Sequence, residues 1–287
     1  MGINKLKFAF ITIGSFDFHA TLKRATGMAG PLIARGHEVH LLLEDSLINR
    51  EKVTSECPEA KVHWHICARS PLAERRVKQQ TLKQILPDVV WICGVGLRNW
   101  VFRPSCSTVL LGDHSELFSQ VNSGRVRRLV YGAIEWLYCF AFDGHICASR
   151  YLESFYEGRL KRLGKDPGRV HYLPYAFHPG VIHLDPEGAS VVQAKYPGKK
   201  IILYMGSFWK NYGFWDMLKA FERIREQRND FVAIFAGRGP EKEKGARWVK
   251  EKELSNSIII EGYVPEESLS AYFGAAHAFL SPLRDTI

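Results

Sequence analysis

Short apolar runs alternate with helical stretches along this chain, and this alternation predicts parallel α/β units. The first run, residues 8–13, predicts a strand, and residues 21–35 predict a helix that follows it. Gly36 lies where a left-handed helix cap is favoured, and residues 39–43 predict the second strand. The first half also predicts a helix at residues 125–142 and strands at residues 62–67, 89–93, 108–111 and 145–147.

The alternation of strands and helices stops after Val170, where four prolines follow. Because proline interrupts helices and strands, this stretch predicts no long periodic segment. The four are Pro174, Pro179, Pro186 and Pro197. We interpret this stretch as a hinge and linker, after which a second alternation begins. It predicts strands at residues 201–205, 231–236, 258–261 and 278–280, and helices at residues 214–225, 241–252 and 266–275.

The two alternations predict an α/β fold of two doubly wound, Rossmann-like domains. The expected domains are residues 1–175 and residues 176–287. Because a doubly wound domain usually has more than the four strands predicted for the second one, we expect that domain to be incomplete.

Charge divides unevenly between these predicted domains. Residues 1–175 carry 24 Lys and Arg against 16 Asp and Glu, whereas residues 176–287 carry 15 against 14. An anionic partner is therefore expected to meet the first domain. The basic residues are not interleaved with aromatic ones in a recognisable module, so nucleic acid is not an expected partner.

The composition and the lack of a recognisable targeting signal favour a cytoplasmic protein. The sequence is 46% apolar, which is enough for a substantial core, yet it has no stretch of roughly 20 apolar residues that could span a bilayer. Its first residues lack the pattern of a signal peptide. The six cysteines form no C-x-x-C pair, which indicates reduced and mostly buried thiols.

Two glycine motifs in the first domain are candidates for phosphate binding. Residues 94–99 begin like a dinucleotide fingerprint, but Asn99 replaces the third glycine, so a nicotinamide site is not expected. Gly14 ends the first predicted strand. Because glycine has no side chain, the backbone at this position can approach a phosphate. An ordinary turn glycine is the alternative.

Three histidines are candidates for catalysis or for metal binding. His114 follows the predicted strand 108–111, at an edge that faces the crevice of a doubly wound sheet. There it can hydrogen-bond a sugar hydroxyl or respond to charge on a leaving phosphate, although a structural histidine is the alternative. His63 and His65 share one face of a predicted strand without a third ligand nearby, so no metal site is expected.

Three predicted strands of the second domain end at glycines. Gly206 is followed by Ser207 and Lys210, which can contact phosphate oxygens, and Arg238 lies between two glycines after the next strand. The third strand ends at residues 261–264, where backbone groups can contact a base edge. These turns suit a nucleoside diphosphate, and tight turns with a solvated lysine are the alternative.

Together these motifs resemble the retaining GT-B glycosyltransferases of family four, also called glycosyl transferases group 1. The resemblance is carried by ILYMGSF at residues 202–208, LKAF at 218–221, FAGRGP at 235–240, IEGYVP at 260–265 and AAHAFLSP at 275–282. RGHEV at residues 35–39, His114 and Leu173-Pro174 extend it over nearly the whole chain.

The resemblance implies transfer of a sugar from a nucleoside-diphosphate sugar to an acceptor, with retention and with neither a metal nor another cofactor. It implies a first domain on the acceptor side and a donor-binding second domain. His114 would approach the donor sugar, and Gly206 would hold the diphosphate. The base would be flanked by a loop made of Glu261, Gly262, Tyr263 and Val264.

This sequence also departs from the family pattern. Ser207 replaces a common arginine, and Lys210 lies three residues before Gly213 rather than next to it. Two glutamates eight apart usually follow the position of Pro282, where this chain has only five residues. We therefore expect a C-terminally truncated donor domain, and a non-catalytic sugar-nucleotide-binding remnant or scaffold is an alternative. A nucleotide-sugar epimerase of the same fold is another.

The expected partners are a nucleotide-sugar donor and a glycan, lipid-linked or small-molecule acceptor, as in the synthesis of cell envelopes or polysaccharides. The predicted helix at residues 125–142 is apolar and begins with Arg125, Arg127 and Arg128. This combination motivates the hypothesis that the protein lies peripherally on the cytoplasmic face of the membrane.

Overall fold

The computed structural model describes residues 4–15, 20–66, 70–96, 98–121, 124–175 and 183–282. The chain separates into two compact units, Met1–Ala176 and Phe177–Ile287. Among the described residues, no helix is long and apolar enough to cross a membrane.

The first unit contains a seven-stranded sheet in which all neighbouring strands are parallel. Its strands are β1 (Lys7–Ile11), β2 (Glu38–Glu44), β3 (Lys61–His65), β4 (Val89–Cys93), β5 (Val109–His114), β6 (Gly144–Cys147) and β7 (Val170–Tyr172). The described helices are α1 (Ala20–Ala34), α2 (Leu47–Glu56), α3 (Pro71–Ile85), α4 (Phe118–Val121), α5 (Arg125–Ala141) and α6 (Arg150–Arg162).

The strand order is β3-β2-β1-β4-β5-β6-β7, so the chain reverses direction across the sheet between β1 and β4. The carboxyl ends of strands beside such a reversal are the usual place for a ligand in a doubly wound sheet. Buried apolar side chains cover both faces, with Phe10 and Leu41 on one and Ile11 and Ile92 on the other.

The second unit has a four-stranded parallel sheet in the order β10-β9-β8-β11. Its strands are β8 (Lys200–Met205), β9 (Phe231–Ala236), β10 (Ile258–Gly262) and β11 (Ala278–Leu280). Its described α-helices are α7 (Pro186–Ala194), α8 (Phe214–Gln227), α9 (Lys242–Glu251) and α10 (Leu269–Ala275). The doubly wound α/β class predicted from the sequence is confirmed.

Helix α7, of nine residues, lies in the proline-rich stretch for which the sequence predicts no long periodic segment. Pro186 occupies the first turn of this helix, where a missing N–H and a fixed φ angle are tolerated. The side chain of Asp185 accepts a hydrogen bond of 2.9 Å from the Gly188 amide and caps the helix. A proline read as an interruption therefore begins a helix here.

Strand β5 extends three residues beyond its predicted end and includes His114. Consecutive residues of a strand point to opposite faces of the sheet, so Asp113 and His114 enter different layers. The helix predicted at residues 266–275 is also shorter, because residues 266–268 form a single 3₁₀ turn before α10.

A buried ionic network organises the carboxyl ends of β1 and β4. Lys78 of α3 is 1% exposed, and its Nζ donates to the Thr12 carbonyl at 3.0 Å, Glu74 Oε1 at 2.7 Å and Asn99 Oδ1 at 2.6 Å. Asn99 donates in turn to the carbonyls of Cys93 and Gly94. The network therefore joins the turn after β1 to the loop after β4.

Glu74 completes the network from the same helix. Its second oxygen accepts a 2.6 Å hydrogen bond from Arg98. Burial favours the neutral carboxyl, but the hydrogen bonds from Lys78 and Arg98 outweigh it and lower the pKa of Glu74. Lys78 thus compensates a buried negative charge as well as fixing two backbone segments.

Replacing Lys78 with methionine should lower the free energy of unfolding of the first unit by about 3 to 5 kcal/mol, because buried Glu74 loses one of its two cationic partners and the Thr12 and Asn99 oxygens lose their donor. Urea denaturation followed by tryptophan fluorescence measures this change. Lys83→Met is the matched control, since Lys83 is exposed on the same helix and should change stability by less than about 0.5 kcal/mol. Equal effects of the two substitutions would contradict the proposed role of the network.

Candidate functional site

In the second unit, the three predicted glycine turns meet at the carboxyl edge of the sheet. The Gly206 amide donates to the Ala236 carbonyl at 2.9 Å, and the Gly237 amide donates to the Gly262 carbonyl at 2.5 Å. The Phe208 amide donates to the Arg238 carbonyl at 2.8 Å. The ends of β8, β9 and β10 therefore form one hydrogen-bonded backbone surface.

Glycine is required where these turns touch. A Cβ at Gly237, whose φ is +149°, would lie 1.8 Å from the Gly206 carbonyl oxygen. A Cβ at Gly239 would lie 2.4 Å from the Phe208 carbonyl oxygen. Because real Cβ atoms do not approach backbone atoms so closely, these glycines allow the turns to pack directly on each other.

Lys210 lies in a single 3₁₀ turn that precedes α8, and its side chain is exposed. Gly213 follows with φ +69° and begins α8 without a side-chain cap. The first amides of an uncapped helix can bind an anion, and the positive end of the helix dipole favours one. Ser207 is also exposed beside this segment.

Arg238 and Tyr263 stack on each other at the adjacent strand ends. The Arg238 Cζ atom lies 3.8 Å from the centroid of the Tyr263 ring, and Tyr263 is 55% exposed. The pair joins the turn after β9 to the loop after β10. It presents a flat, positively charged surface at the same edge as Gly206 and Gly262.

Two predicted site residues of the loop at residues 261–264 make contacts within the second unit. Glu261 accepts a 2.6 Å hydrogen bond from the Tyr272 hydroxyl. Burial and this carboxylate both raise the pKa of Tyr272. Val264 is 7% exposed and packs in the apolar core of the second unit.

In the first unit, Gly14 lies just beyond β1 with φ +68°, which explains the glycine at this turn. Its carbonyl accepts a 3.2 Å hydrogen bond from Asn49, which also donates to the carbonyl of Glu44, the last residue of β2. Asn49 is fully buried. The turn proposed for phosphate binding is thus held by a side chain from α2.

His114 lies at the end of β5, and its side chain enters the core rather than open solvent. It is 3% exposed, its Nε2 lies 3.0 Å from Nδ1 of His145, and its ring lies 4.0 Å from that of Tyr156. It borders a cavity of about 10 Å³, the space of one water molecule. The sequence placed this residue at the correct edge but did not reveal its burial.

Burial keeps both histidines of this pair neutral. It lowers the pKa of His114 well below its ordinary value, with a further contribution from His145. Burial, together with the charges of Arg169 and Lys165, lowers the pKa of His145 to about 3. A neutral imidazole whose Nε2 is occupied leaves Nδ1 as the ring nitrogen of His114 that is available to a ligand.

The sequence motifs do not include Arg24, yet this residue organises the same edge. Its Nε donates to Asp113 at 2.9 Å, and its two terminal nitrogens donate to the carbonyls of Leu173 and Pro174. Trp91 also donates to Asp113 at 2.9 Å. The signal in the sequence is an arginine within a mostly apolar predicted helix, a position that can indicate a buried ion pair.

These observations agree with comparisons to known proteins. Residues 188–285 match the family model described as glycosyl transferases group 1. No curated protein sequence matches the chain.

Solved structures resemble the chain over nearly its whole length. A glycosyltransferase from Rickettsia africae is 13% identical, with a TM-score of 0.71 over 98% of this chain and 74% of that one. HepE of Anabaena, in complex with UDP and glucose, is 12% identical, with a TM-score of 0.71 over 97% and 74%. Sucrose-phosphate synthase from Thermosynechococcus elongatus is 17% identical, with a TM-score of 0.68 over 97% and 76%.

The chain has a fold of the GT-B type, the class that these structures share. Its segment 188–285, which forms most of the second unit, matches the glycosyl transferases group 1 family model. The resemblance noted in the sequence is confirmed for the GT-B fold and for the match to glycosyl transferases group 1.

The buried histidine pair should make the first unit less stable in acid. The unfolded chain binds protons at these histidines below about pH 6.5, whereas folded His145 binds one only near pH 3. The contribution of these histidines to the free energy of unfolding is therefore fully present above pH 6.5. It should decrease as pH falls, by up to about 1.4 kcal/mol per pH unit for each histidine. Urea denaturation over a pH series measures this slope.

The His145→Asn variant should show a shallower slope. His171→Asn is the matched control, because His171 is exposed on β7, and it should keep the original slope. An unchanged slope in His145→Asn would show that other groups cause the acid sensitivity.

Proposed function

We propose that this protein transfers a sugar from a nucleoside-diphosphate sugar to an acceptor hydroxyl, with retention of anomeric configuration and without an obligatory metal. The observation that carries the proposal is the glycine-lined edge of β8, β9 and β10, bordered by Lys210 and Arg238. This edge lies within the segment that matches the glycosyl transferases group 1 family model. The donor would bind to the second unit.

The diphosphate fits the part of this edge that combines exposed backbone with positive charge. Lys210, Ser207 and the amino terminus of α8 lie beside the Gly206 turn. Charge-assisted hydrogen bonds from such groups stabilise phosphate oxygens. We assign the diphosphate to this position, with Arg238 as a second cation.

The base fits the Arg238–Tyr263 stack. An exposed aromatic ring next to a guanidinium offers a flat face for a nucleobase. UDP is the appropriate first probe, because HepE was solved with UDP and glucose and MnaA of S. aureus with UDP.

In the proposed reaction, the bond between the sugar anomeric carbon and the leaving phosphate oxygen breaks. The acceptor oxygen forms the new bond to that carbon, and its proton passes to the leaving phosphate. Lys210 and Arg238 would stabilise the charge that develops on the phosphate. His114 would act as a neutral hydrogen-bonding group through Nδ1, and Gly14 would contribute a turn open to a phosphate.

Replacing Lys210 with alanine should weaken UDP binding by about tenfold or more, because a charged hydrogen bond contributes about 1.5 to 3 kcal/mol. Isothermal titration calorimetry of the 287-residue chain measures this change. Lys219→Ala is the matched control, since Lys219 is an exposed lysine on α8 and should leave binding unchanged. Absence of UDP binding in the unsubstituted chain would contradict the donor assignment.

His114→Asn should reduce UDP release from UDP-glucose more than it weakens UDP binding, because His114 is assigned to the reaction rather than to the donor. His145→Asn is the control, since it removes the neighbouring ring of the same buried pair. A similar loss in both variants would indicate a structural role for His114. Analysis of products with and without a lipid or oligosaccharide acceptor separates transfer from epimerisation and from binding alone.

A further inference from the structure

Helix α5 of the first unit presents an apolar face to solvent. Beyond its first turn, the exposed positions are all apolar: Leu129, Val130, Ala133, Leu137 and Phe140. Leu129 is 76% exposed and Phe140 is 57% exposed. Soluble helices normally show the opposite arrangement, with polar residues outside.

The buried face of α5 is complete without these residues. Ile134, Tyr138 and Cys139 face the core of the unit. Glu135, the sole acidic residue of the helix, is 2% exposed and accepts hydrogen bonds from the Ser119 amide and hydroxyl. The outer face therefore carries no acidic side chain and contributes nothing to the described core.

An open groove extends this face at the carboxyl end of the helix. Leu137 and Phe140 line it together with Trp100 and Phe102, and its volume is about 510 Å³. Phe102 is itself 60% exposed. Because Leu137 and Phe140 belong to both, the face and the groove form a continuous apolar strip along a helix about 25 Å long at 1.5 Å per residue.

Positive charge lies at both ends of this strip. Arg125, Arg127 and Arg128 occupy the first turn of α5, are exposed, and form no ion pair among the described residues. At the other end, Lys165 Nζ lies 4.3 Å from the centre of the Phe140 ring, and Arg75 Cζ lies 4.7 Å from that of Phe102.

The three arginines are unfavourable for the helix itself, because its amino terminus carries the positive end of the helix dipole. An anionic partner would remove this repulsion. A second copy of the chain would instead bring basic ends against each other, since Arg127 and Lys165 mark opposite ends of the same strip. The charge pattern therefore favours an anionic lipid surface over self-association.

We propose that α5 and the loop segment carrying Trp100 and Phe102 dock on an anionic lipid bilayer, with the apolar strip inserted among the upper acyl chains and the arginines at the phosphate level. Long basic side chains beside apolar ones are suited to this boundary. The inference deepens the proposed function, because it names the surface through which the enzyme reaches a lipid-linked acceptor. The amino end of α5 follows β5, so docking places a membrane near the edge that holds His114.

Vesicle sedimentation of the 287-residue chain tests this proposal. Binding is expected to vesicles of phosphatidylcholine with phosphatidylglycerol and not to vesicles of phosphatidylcholine alone, and salt should weaken it. Leu129→Gln with Phe140→Gln should reduce partitioning at least about tenfold. Arg127→Gln with Arg128→Gln should reduce it about fivefold for each arginine.

Two matched pairs serve as controls because they remove exposed residues of the same kinds from the second unit. They are Leu184→Gln with Val191→Gln, and Arg223→Gln with Arg225→Gln. Both should leave partitioning unchanged. Thermal melting followed by circular dichroism verifies that every variant folds.

The proposal is overturned if the unsubstituted chain does not bind anionic vesicles, or if the strip variants bind as well as the controls. It is also overturned if light scattering shows a dimer that the strip variants dissociate while vesicles remain unbound. UDP affinity measured on the same preparations reports on the proposed function separately. Loss of vesicle binding can therefore be distinguished from loss of UDP binding.

Discussion

All neighbouring strands in both described sheets run parallel, and the rest of the structure depends on this constraint. Parallel strands need crossover connections, so helices cover the sheet faces and every strand ends at the same edge of its sheet. The turns that carry Gly206, Gly237 and Gly262 therefore meet, although they are far apart in sequence. The candidate donor site follows from this arrangement rather than from any single motif.

The corresponding edge of the first unit is organised by buried polar groups. Lys78 joins the turn after β1 to the loop after β4, and Arg24 joins Asp113 to the backbone at Leu173 and Pro174. Such groups are costly to bury unless every charge has a partner. The hydrogen bonds from these groups to the loops offset the desolvation of the buried charges. The edge is therefore held rigid by residues that need not contact a substrate.

Several sequence expectations rested on local rules and are confirmed. The left-handed cap at Gly36 and the start of α8 after Gly213 follow from backbone freedom at glycine, which acts within a few residues. Other features depend on long-range contacts that no local rule predicts. Asn99, which stands where the fingerprint would have its third glycine, links Lys78 to the carbonyls of Cys93 and Gly94.

The sequence by itself determined the α/β class, most strand positions and the glycine turns of the second unit, because periodicity and backbone freedom are local properties. Tertiary structure alone decided that His114 pairs with His145 inside the core and that the outer face of α5 is apolar. Both outcomes depend on which face of an element is covered by the remainder of the chain. A hydrophobic helix has the same composition whether its apolar residues face the core or the solvent, so only the packed structure distinguishes the two.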